Sequence, residues 1–144
     1  MFAAPARAQY AIRAMTNLAL RPDRTATSAD IAQAESIPAK YLEGIMSRLK
    51  AAGLVESARG KNGGYTMALD PFRITMLQVV EAVEGRVRPV SCVDGTEVCG
   101  LFPGCHPRSF WLGLKNTIDA YLQSCTLGDI VGNPAGHTDL PAHS

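Results

Sequence analysis

Apolar residues recur at helical spacing near the start of the chain and predict a first helix. Tyr10, Ala14 and Leu18 lie on one face of a segment that runs from about Ala6 to Leu20, as the period of an α-helix requires. Pro22 ends this helix, because proline disfavours helical geometry in the residue before it. The pattern therefore predicts one amphipathic helix in this segment.

Two shorter helices follow, with a tight turn between them. Thr27 opens the first, and its T-x-x-D spacing with Asp30 is typical of a capping box. Pro38 lies in the first turn of the second, where its missing N–H leaves no hydrogen bond unmade, and Gly53 closes that helix. Two helices in this order form a helix-turn-helix, whose second helix is the candidate DNA reader. The residues expected to line the buried side of that helix are Tyr41, Leu42, Ile45, Met46 and Leu49.

The next segment has the pattern of a β-hairpin. Residues 54–57 and 64–69 are predicted strands, and the turn over residues 59–64 between them is rich in glycine. A hairpin directly after a helix-turn-helix is a wing. Arg59 and Lys61 place positive charge at its tip, where an arginine suits the narrow, negative minor groove of DNA.

A linker helix and an irregular loop are predicted next. Thr75 and Gln78 form a capping box at the start of a helix that ends at Gly85. Residues 86–107 contain three glycines and three prolines, and a loop of this length in a compact chain usually carries a function. The side chains of the linker helix expected to be buried are Leu77, Val80 and Val83.

A long helix is predicted from about Arg108 to Ser124. Its apolar residues follow 3-4-3-4 spacing, which is the pattern of a short coiled coil, and we expect them to join two copies of the chain. Thr126 and Asp129 then cap a last short helix that ends at Gly132. The seam consists of Trp111, Leu114, Ile118, Tyr121 and Cys125, of which Cys125 is interpreted as a packing residue.

These elements together predict a mainly α fold with a small β-hairpin wing. Residues 1–72 form a winged helix-turn-helix domain in this interpretation. Residues 73–134 hold the linker helix, the cysteine-rich loop and the long C-terminal dimerisation helix, and residues 135–144 form a flexible tail. The chain has 144 residues, 47% of them hydrophobic and 19% charged, which is the balance of one globular unit rather than of a disordered chain.

The charge distribution adds a candidate partner. Residues 1–73 carry ten basic and six acidic side chains, a balance of +4, whereas residues 74–144 carry four basic and seven acidic ones, a balance of −3. A basic first half favours a nucleic-acid surface. The longest run without a charged residue has ten residues, about half of what a membrane span needs, and no signal peptide is evident. We therefore expect a cytoplasmic protein with no membrane contact.

Three of the four cysteines lie within fourteen residues, in the spacing Cys92-x6-Cys99-x5-Cys105. Without a secretory signal, such a cluster indicates metal binding or redox chemistry before a structural disulfide. Paired C-x2–4-C spacing, which compact zinc sites favour, is missing here. The spacing alone leaves an iron–sulfur cluster, a zinc site and a thiol–disulfide switch open. An enzyme with a nucleophilic cysteine would need a partnered base, and since His106 is the only histidine near the loop, we expect no catalytic activity.

The order of these elements resembles the Rrf-type winged-helix regulators, a family that includes iron–sulfur cluster regulators of the IscR and NsrR types. The resemblance extends from about residue 7 to residue 131. It implies a homodimer that binds a pseudo-palindromic operator in double-stranded DNA. The segments that carry it are Tyr10–Arg13, Ile31–Ala32, Tyr41–Glu43 with Leu49, Gly53–Val55, Arg59–Gly60, Gly63–Tyr65, Ile74–Thr75, Val79–Gly85, Thr126–Leu127 and Asp129–Val131.

The resemblance also implies an iron–sulfur cluster, 2Fe–2S or 4Fe–4S, on Cys92, Cys99 and Cys105. The fourth ligand differs from the family pattern. Arg108 stands where IscR-type relatives have a histidine, and an arginine has no lone pair to donate to a metal. Gln9 stands where some NsrR-type relatives have a carboxylate from the partner subunit. The candidates for the fourth position are His106, Gln9, Glu97 and Asp94.

The resulting hypothesis is a transcription regulator whose DNA affinity depends on this cluster and which senses nitric oxide, iron supply or redox state. The alternative is a regulator of the same fold that uses the cysteines for zinc or as a thiol–disulfide switch. Lys40, Tyr41 and Glu43 lie in the first turns of the recognition helix, within reach of base edges. The full set of expected DNA-binding residues is Ser28, Lys40, Tyr41, Glu43, Arg48, Arg59, Gly60 and Lys61.

Overall fold

The computed structural model describes residues 3–58, 63–89 and 106–132 of the chain, and this part is mainly helical with a small antiparallel sheet. The helices are α1 (Ala6–Leu20), α2 (Ser28–Glu35), α3 (Ala39–Ala51), α4 (Met76–Glu84), α5 (Arg108–Ser124) and α6 (Leu127–Gly132). The strands are β1 (Thr25–Ala26), β2 (Val55–Ser57) and β3 (Tyr65–Met67), and Pro71–Arg73 form a single 3-10 turn. The mainly α fold with a hairpin wing is confirmed.

The helix-turn-helix is confirmed in α2 and α3. The Thr27 hydroxyl accepts a hydrogen bond from the N–H of Asp30 at 3.0 Å and starts α2. Ser36 ends α2 in the left-handed conformation, with φ 55°. Pro38 differs slightly from the prediction, because it lies at the N-cap of α3 with an extended ψ of 129° rather than inside the first turn.

The linker helix begins as predicted but buries a different face. Thr75 and Gln78 form the predicted capping box, with the Thr75 hydroxyl accepting from the Gln78 N–H at 3.1 Å. Leu77 and Val80 were expected in the core and are only half-buried. Since α4 is apolar around most of its circumference, the packing of α1 and α3 against it decides which side is buried. The buried side chains of α4 are Met76, Val79 and Val83.

The sheet has one strand that the sequence did not indicate. β3 lies between β1 and β2, with Thr25 opposite Thr66 and Val55 opposite Met67. The two residues of β1 are too few to show an alternating pattern. Gly64 is needed beside it, since its φ is +139° and a Cβ there would lie 2.7 Å from the carbonyl oxygen of Ala26. The extra strand therefore attaches the base of the wing to the connection between α1 and α2.

The core joins the helix-turn-helix to the linker helix. Met15 and Leu18 of α1 are fully buried and pack with the apolar sides of α3 and α4. The predicted core of α3 is confirmed except for Tyr41, which is 42% exposed. Each fully buried aliphatic side chain of this size stabilises the fold by about 1.5–3 kcal/mol. The buried residues of α3 are Leu42, Ile45, Met46 and Leu49.

The end of the described chain returns to the core beside α4. The N–H of Met76 donates to the carbonyl of Cys125 at 2.8 Å, and the N–H of Leu127 donates to the carbonyl of Ile74 at 2.8 Å. Cys125 is 6% exposed, which confirms its interpretation as a packing residue. Thr126 and Asp129 cap α6 reciprocally, as predicted. None of the described helices is long and apolar enough to cross a membrane.

Candidate nucleic-acid interface and cysteine segment

The outer side of α3 offers a polar surface to a partner. Lys40, Glu43, Gly44 and Ser47 are exposed on this helix, on the side away from its buried aliphatic residues. Ser28, at the first position of α2, is half-buried. The candidate DNA-contacting residues of α3 are therefore accessible, as a recognition helix in the major groove requires.

Tyr41 is fixed to the first helix rather than buried in the core. Its ring packs edge-on against Tyr10, with the ring centroids 5.3 Å apart. Arg13 lies 5.5 Å from the centre of the Tyr10 ring and pairs with Glu35 at 3.5 Å. These contacts connect the start of the recognition helix to α1 and to the end of α2. Sequence reasoning missed Arg13 and Glu35, because two residues so far apart along the chain form no recognisable motif.

Arg48 makes a contact that its predicted role did not include. Its Nη1 donates to the carbonyl oxygen of Val83 at 3.2 Å, in the last turn of α4. Arg7 donates to the same carbonyl at 3.5 Å and pairs with Glu84 at 3.7 Å. A cation is favourable at a helix C-terminus, where carbonyl groups lack partners. The recognition helix is thereby hydrogen-bonded to the last turn of α4, which ends at Gly85.

The base of the wing is well defined, whereas its tip lies outside the described residues. β2 and β3 pair in register from Val55–Met67 to Ser57–Tyr65, and the N–H of Ala58 donates to the carbonyl of Gly64 at 2.9 Å. The predicted hairpin is confirmed by this pairing. The tip residues named as DNA contacts, Arg59, Gly60 and Lys61, fall in the part of the chain that is not described.

The three clustered cysteines, Glu97 and Asp94 also fall outside the described residues. Of the other candidates for the fourth position, His106 is exposed just before α5, and Gln9 is exposed on α1 with its amide donating to the carbonyl of Ala4 at 2.7 Å. Within residues 3–58, 63–89 and 106–132, no group of three potential ligands could hold a metal ion. Any such site therefore includes residues outside these ranges, among which are Cys92, Cys99 and Cys105.

Cys125 has the properties of a packing residue rather than of a ligand. Burial raises the pKa of its thiol, and the negative charge of Asp129 raises this pKa further. A raised pKa keeps the thiol protonated, whereas a metal ligand must be a thiolate.

α5 has an apolar side that the described part of the chain covers incompletely. None of its described residues is buried, although the helix packs against α4. Trp111, Leu114 and Ile118 are half-buried, and Tyr121 is 39% exposed. Phe110 is 64% exposed and packs edge-on against Trp111 with ring centroids 4.9 Å apart. Four of the predicted seam residues thus lie on one incompletely covered helix, whereas Cys125 follows the end of α5 and is buried.

Comparisons with known proteins agree on one family. The sequence profile of the Rrf2 family, described as an iron-dependent transcriptional regulator, matches residues 5–133. The HTH-type transcriptional regulator IscR of Vibrio vulnificus strain YJ016 is 34% identical over 128 residues, which is 88% of this chain and 76% of that protein. IscR of Yersinia enterocolitica is 35% identical over 128 residues, with 88% of this chain and 77% of that protein covered.

Two solved structures have a similar fold. CymR (YrzC), the global cysteine regulator of B. subtilis, matches with a TM-score of 0.75 and 30% identity, covering 92% of this chain and 98% of CymR. IscR of T. potens matches with a TM-score of 0.73 and 25% identity, covering 99% of this chain and 95% of that protein. These similarities agree with the element order and the winged helix-turn-helix described above.

Proposed function

The chain belongs to the Rrf2 family of transcriptional regulators, and from this premise we propose that it is a homodimer whose DNA affinity depends on an iron–sulfur cluster. Its relatives are named as transcriptional regulators, so the function is regulatory rather than enzymatic. The observation that carries the proposal is the position of the cysteine segment. It follows α4, whose last turn is hydrogen-bonded to the recognition helix through Arg48.

DNA binding is assigned to the helix-turn-helix and the wing. Lys40 can contact a phosphate or a guanine, and Glu43 can accept a hydrogen bond from the amino group of a cytosine. Tyr41 follows Lys40 in the sequence, and its ring packs against Tyr10 of α1. In a two-fold dimer the paired recognition helices require a pseudo-palindromic operator.

Arg59→Ala is expected to weaken operator binding by about 1–3 kcal/mol, because the wing loses the guanidinium that enters the minor groove. The affinity is measured by fluorescence anisotropy, with DNA that the wild-type protein enriches from a random-sequence library. Arg73→Ala removes the same charge from the exposed 3-10 turn, which lies outside the proposed surface. Equal losses in the two variants would mean that only net charge matters and that the wing does not read the groove.

The chemistry of the donor set fits an iron–sulfur cluster. Such clusters are held chiefly by cysteine thiolates, and Cys92, Cys99 and Cys105 supply three of them. The candidates for the remaining position are His106, Gln9, Glu97 and Asp94. When bound, a cluster with an incomplete protein ligand set would supply a labile iron that reacts with nitric oxide or oxidants and is lost when iron is scarce.

The residues between the cysteine segment and the DNA surface provide a route for regulation. Arg48 and Arg7 both donate to the carbonyl of Val83, so the last turn of α4 is held between α3 and α1. A change in the segment after Gly85 alters the conformation of the last turn of α4. The hydrogen bond from Arg48 to the Val83 carbonyl is then strengthened or weakened. The recognition helix then shifts between populations with different DNA affinity.

Arg48→Ala tests this route against the simpler role of phosphate contact. If Arg48 couples α4 to the recognition helix, the variant brings the DNA affinities of the cluster-loaded and cluster-free protein closer together. If it only neutralises a phosphate, both affinities fall by the same factor, and the salt dependence falls with them. Lys50→Ala is the control, because Lys50 is exposed and near the end of the same helix. A wild-type ratio between the two states of Arg48→Ala would contradict the coupling.

Anaerobic purification separates the proposal from its alternative. A protein with the proposed cluster absorbs visible light and contains iron and acid-labile sulfide. A colourless protein with zinc, or with a reversible disulfide between the clustered cysteines, would favour the alternative regulator without a cluster. The spacing of the clustered cysteines, which also allows a zinc site or a thiol–disulfide switch, is the observation that favours the alternative.

A further inference from the structure

Gly44 is unexpected inside the recognition helix. It lies in the interior of α3, where glycine lowers the folding equilibrium by a factor of about five relative to alanine. The fold does not require this glycine, since a Cβ built on it would have no atom of the described residues within 4 Å. Its φ is not positive either, so the backbone conformation is open to any residue.

Several other glycines of the described chain have an internal reason to lack a side chain. A Cβ on Gly64 would lie 2.7 Å from the carbonyl oxygen of Ala26, and one on Gly128 would collide with the ring of Phe72. Gly53 has φ +81°, just after the end of α3. Gly44 has neither a close neighbour nor a positive φ, and Gly113 in α5 shares both properties. What distinguishes Gly44 is its place on the exposed side of the recognition helix.

The position of Gly44 indicates which molecule would lie against it. It is one helical turn after Lys40 and one turn before Ser47, and all three are exposed on the outer side of α3. Glu43 is its exposed neighbour. Residues in the first turns of a recognition helix approach the base edges, and glycine lets another molecule come close to the backbone. A point without a side chain between Lys40 and Ser47 forms a notch in the surface that faces the DNA.

We propose that Gly44 determines how deeply the recognition helix enters the major groove, with the edge of a base pair seated directly against the helix backbone at this residue. The inference rests on the proposed DNA-binding function and adds a specificity determinant to it. The close contact brings Lys40 and Glu43 within reach of the bases on either side. A side chain at residue 44 would hold the helix away from the groove floor and lengthen both contacts.

Gly44→Ala is the direct test, because it should change folding stability and DNA binding in opposite directions. Its thermal unfolding midpoint should rise by a few degrees, since alanine favours the helix. Its affinity for DNA enriched by the wild-type protein should fall by about 5- to 100-fold, the range expected when a methyl group is forced into a close contact. Gly44→Gln should lose more affinity for the enriched DNA than Gly44→Ala does, because its side chain is longer. Affinity for unrelated DNA and the salt dependence should stay unchanged, because no phosphate contact is removed.

Gly113→Ala is a matched control. Gly113 is an exposed glycine in α5 that also has no atom of the described residues within 4 Å of a built Cβ, and it lies off the apolar seam. This variant should gain stability in the same way and keep the wild-type operator affinity. The inference is overturned if Gly44→Ala binds the enriched DNA as tightly as the wild type, or if specific and unrelated DNA lose affinity equally. If the wild-type protein enriches no DNA, the proposed function fails as well.

Discussion

Ile118→Glu is expected to divide the protein into monomers and to weaken operator binding about 100-fold or more. α5 has no buried side chain among its described residues, and Ile118 lies in the middle of its apolar seam. A carboxylate in a seam between two copies would lose its hydration without gaining a partner. Since a dimer binds two half-sites at once, a monomer loses the gain of the second binding event. Sedimentation and DNA titration measure the two effects.

Asn116→Glu is the matched control for this prediction. Asn116 is exposed on the same helix, away from the seam, and the substitution introduces the same charge. This variant should remain a dimer and bind DNA as the wild type does. A cooperative melt of Ile118→Glu shows that the monomer is still folded. The dimer assignment is wrong if Ile118→Glu sediments as the wild type does.

The second large effect is expected from the clustered cysteines. Cys92→Ala, Cys99→Ala and Cys105→Ala should each lose most of the bound iron and acid-labile sulfide, because a thiolate ligand is removed. Each should also lose the difference in DNA affinity between the cluster-loaded and cluster-free states. Metal analysis of anaerobically purified variants measures the first effect, and DNA titration measures the second.

Cys125→Ala provides the control within the same residue type. The thiol of Cys125 is buried and its pKa is raised, so its removal should leave the iron content unchanged and cost only some folding stability. If all three clustered variants keep the wild-type iron content, the cluster assignment is wrong. If Cys125→Ala loses iron as they do, the ligand set is different from the one proposed.

The helix ends could be predicted from the sequence because they depend on local chemistry. Thr27 and Thr75 accept hydrogen bonds from backbone groups only three residues away, so their spacing alone reveals the start of a helix. The buried side of α3 could be predicted because its apolar residues recur at helical spacing and polar residues occupy the opposite side. The same reasoning failed for α4, because its apolar residues cover most of the helix circumference and do not show which side meets α1 and α3.

The candidate DNA surface was only partly predictable for a related reason. Lys40 and Glu43 follow from their places in a helix-turn-helix. Two contacts join distant parts of the chain, namely Arg48 with Val83 and Arg13 with Glu35. No rule of sequence spacing predicts such contacts. The role inferred for Gly44 required the fold as well, because only the structure shows that nothing in the described chain occupies the space beside it.

One measurement tests the central claim most directly, namely the DNA affinity of a single anaerobic preparation before and after its iron–sulfur cluster is removed. The DNA is a sequence that the protein itself has enriched, and iron and sulfide are determined on the same sample. We expect the affinity for this sequence to change by at least about tenfold, the size of a typical coupling between two sites. Equal affinity of the two forms, or no iron in the anaerobic preparation, would contradict the account.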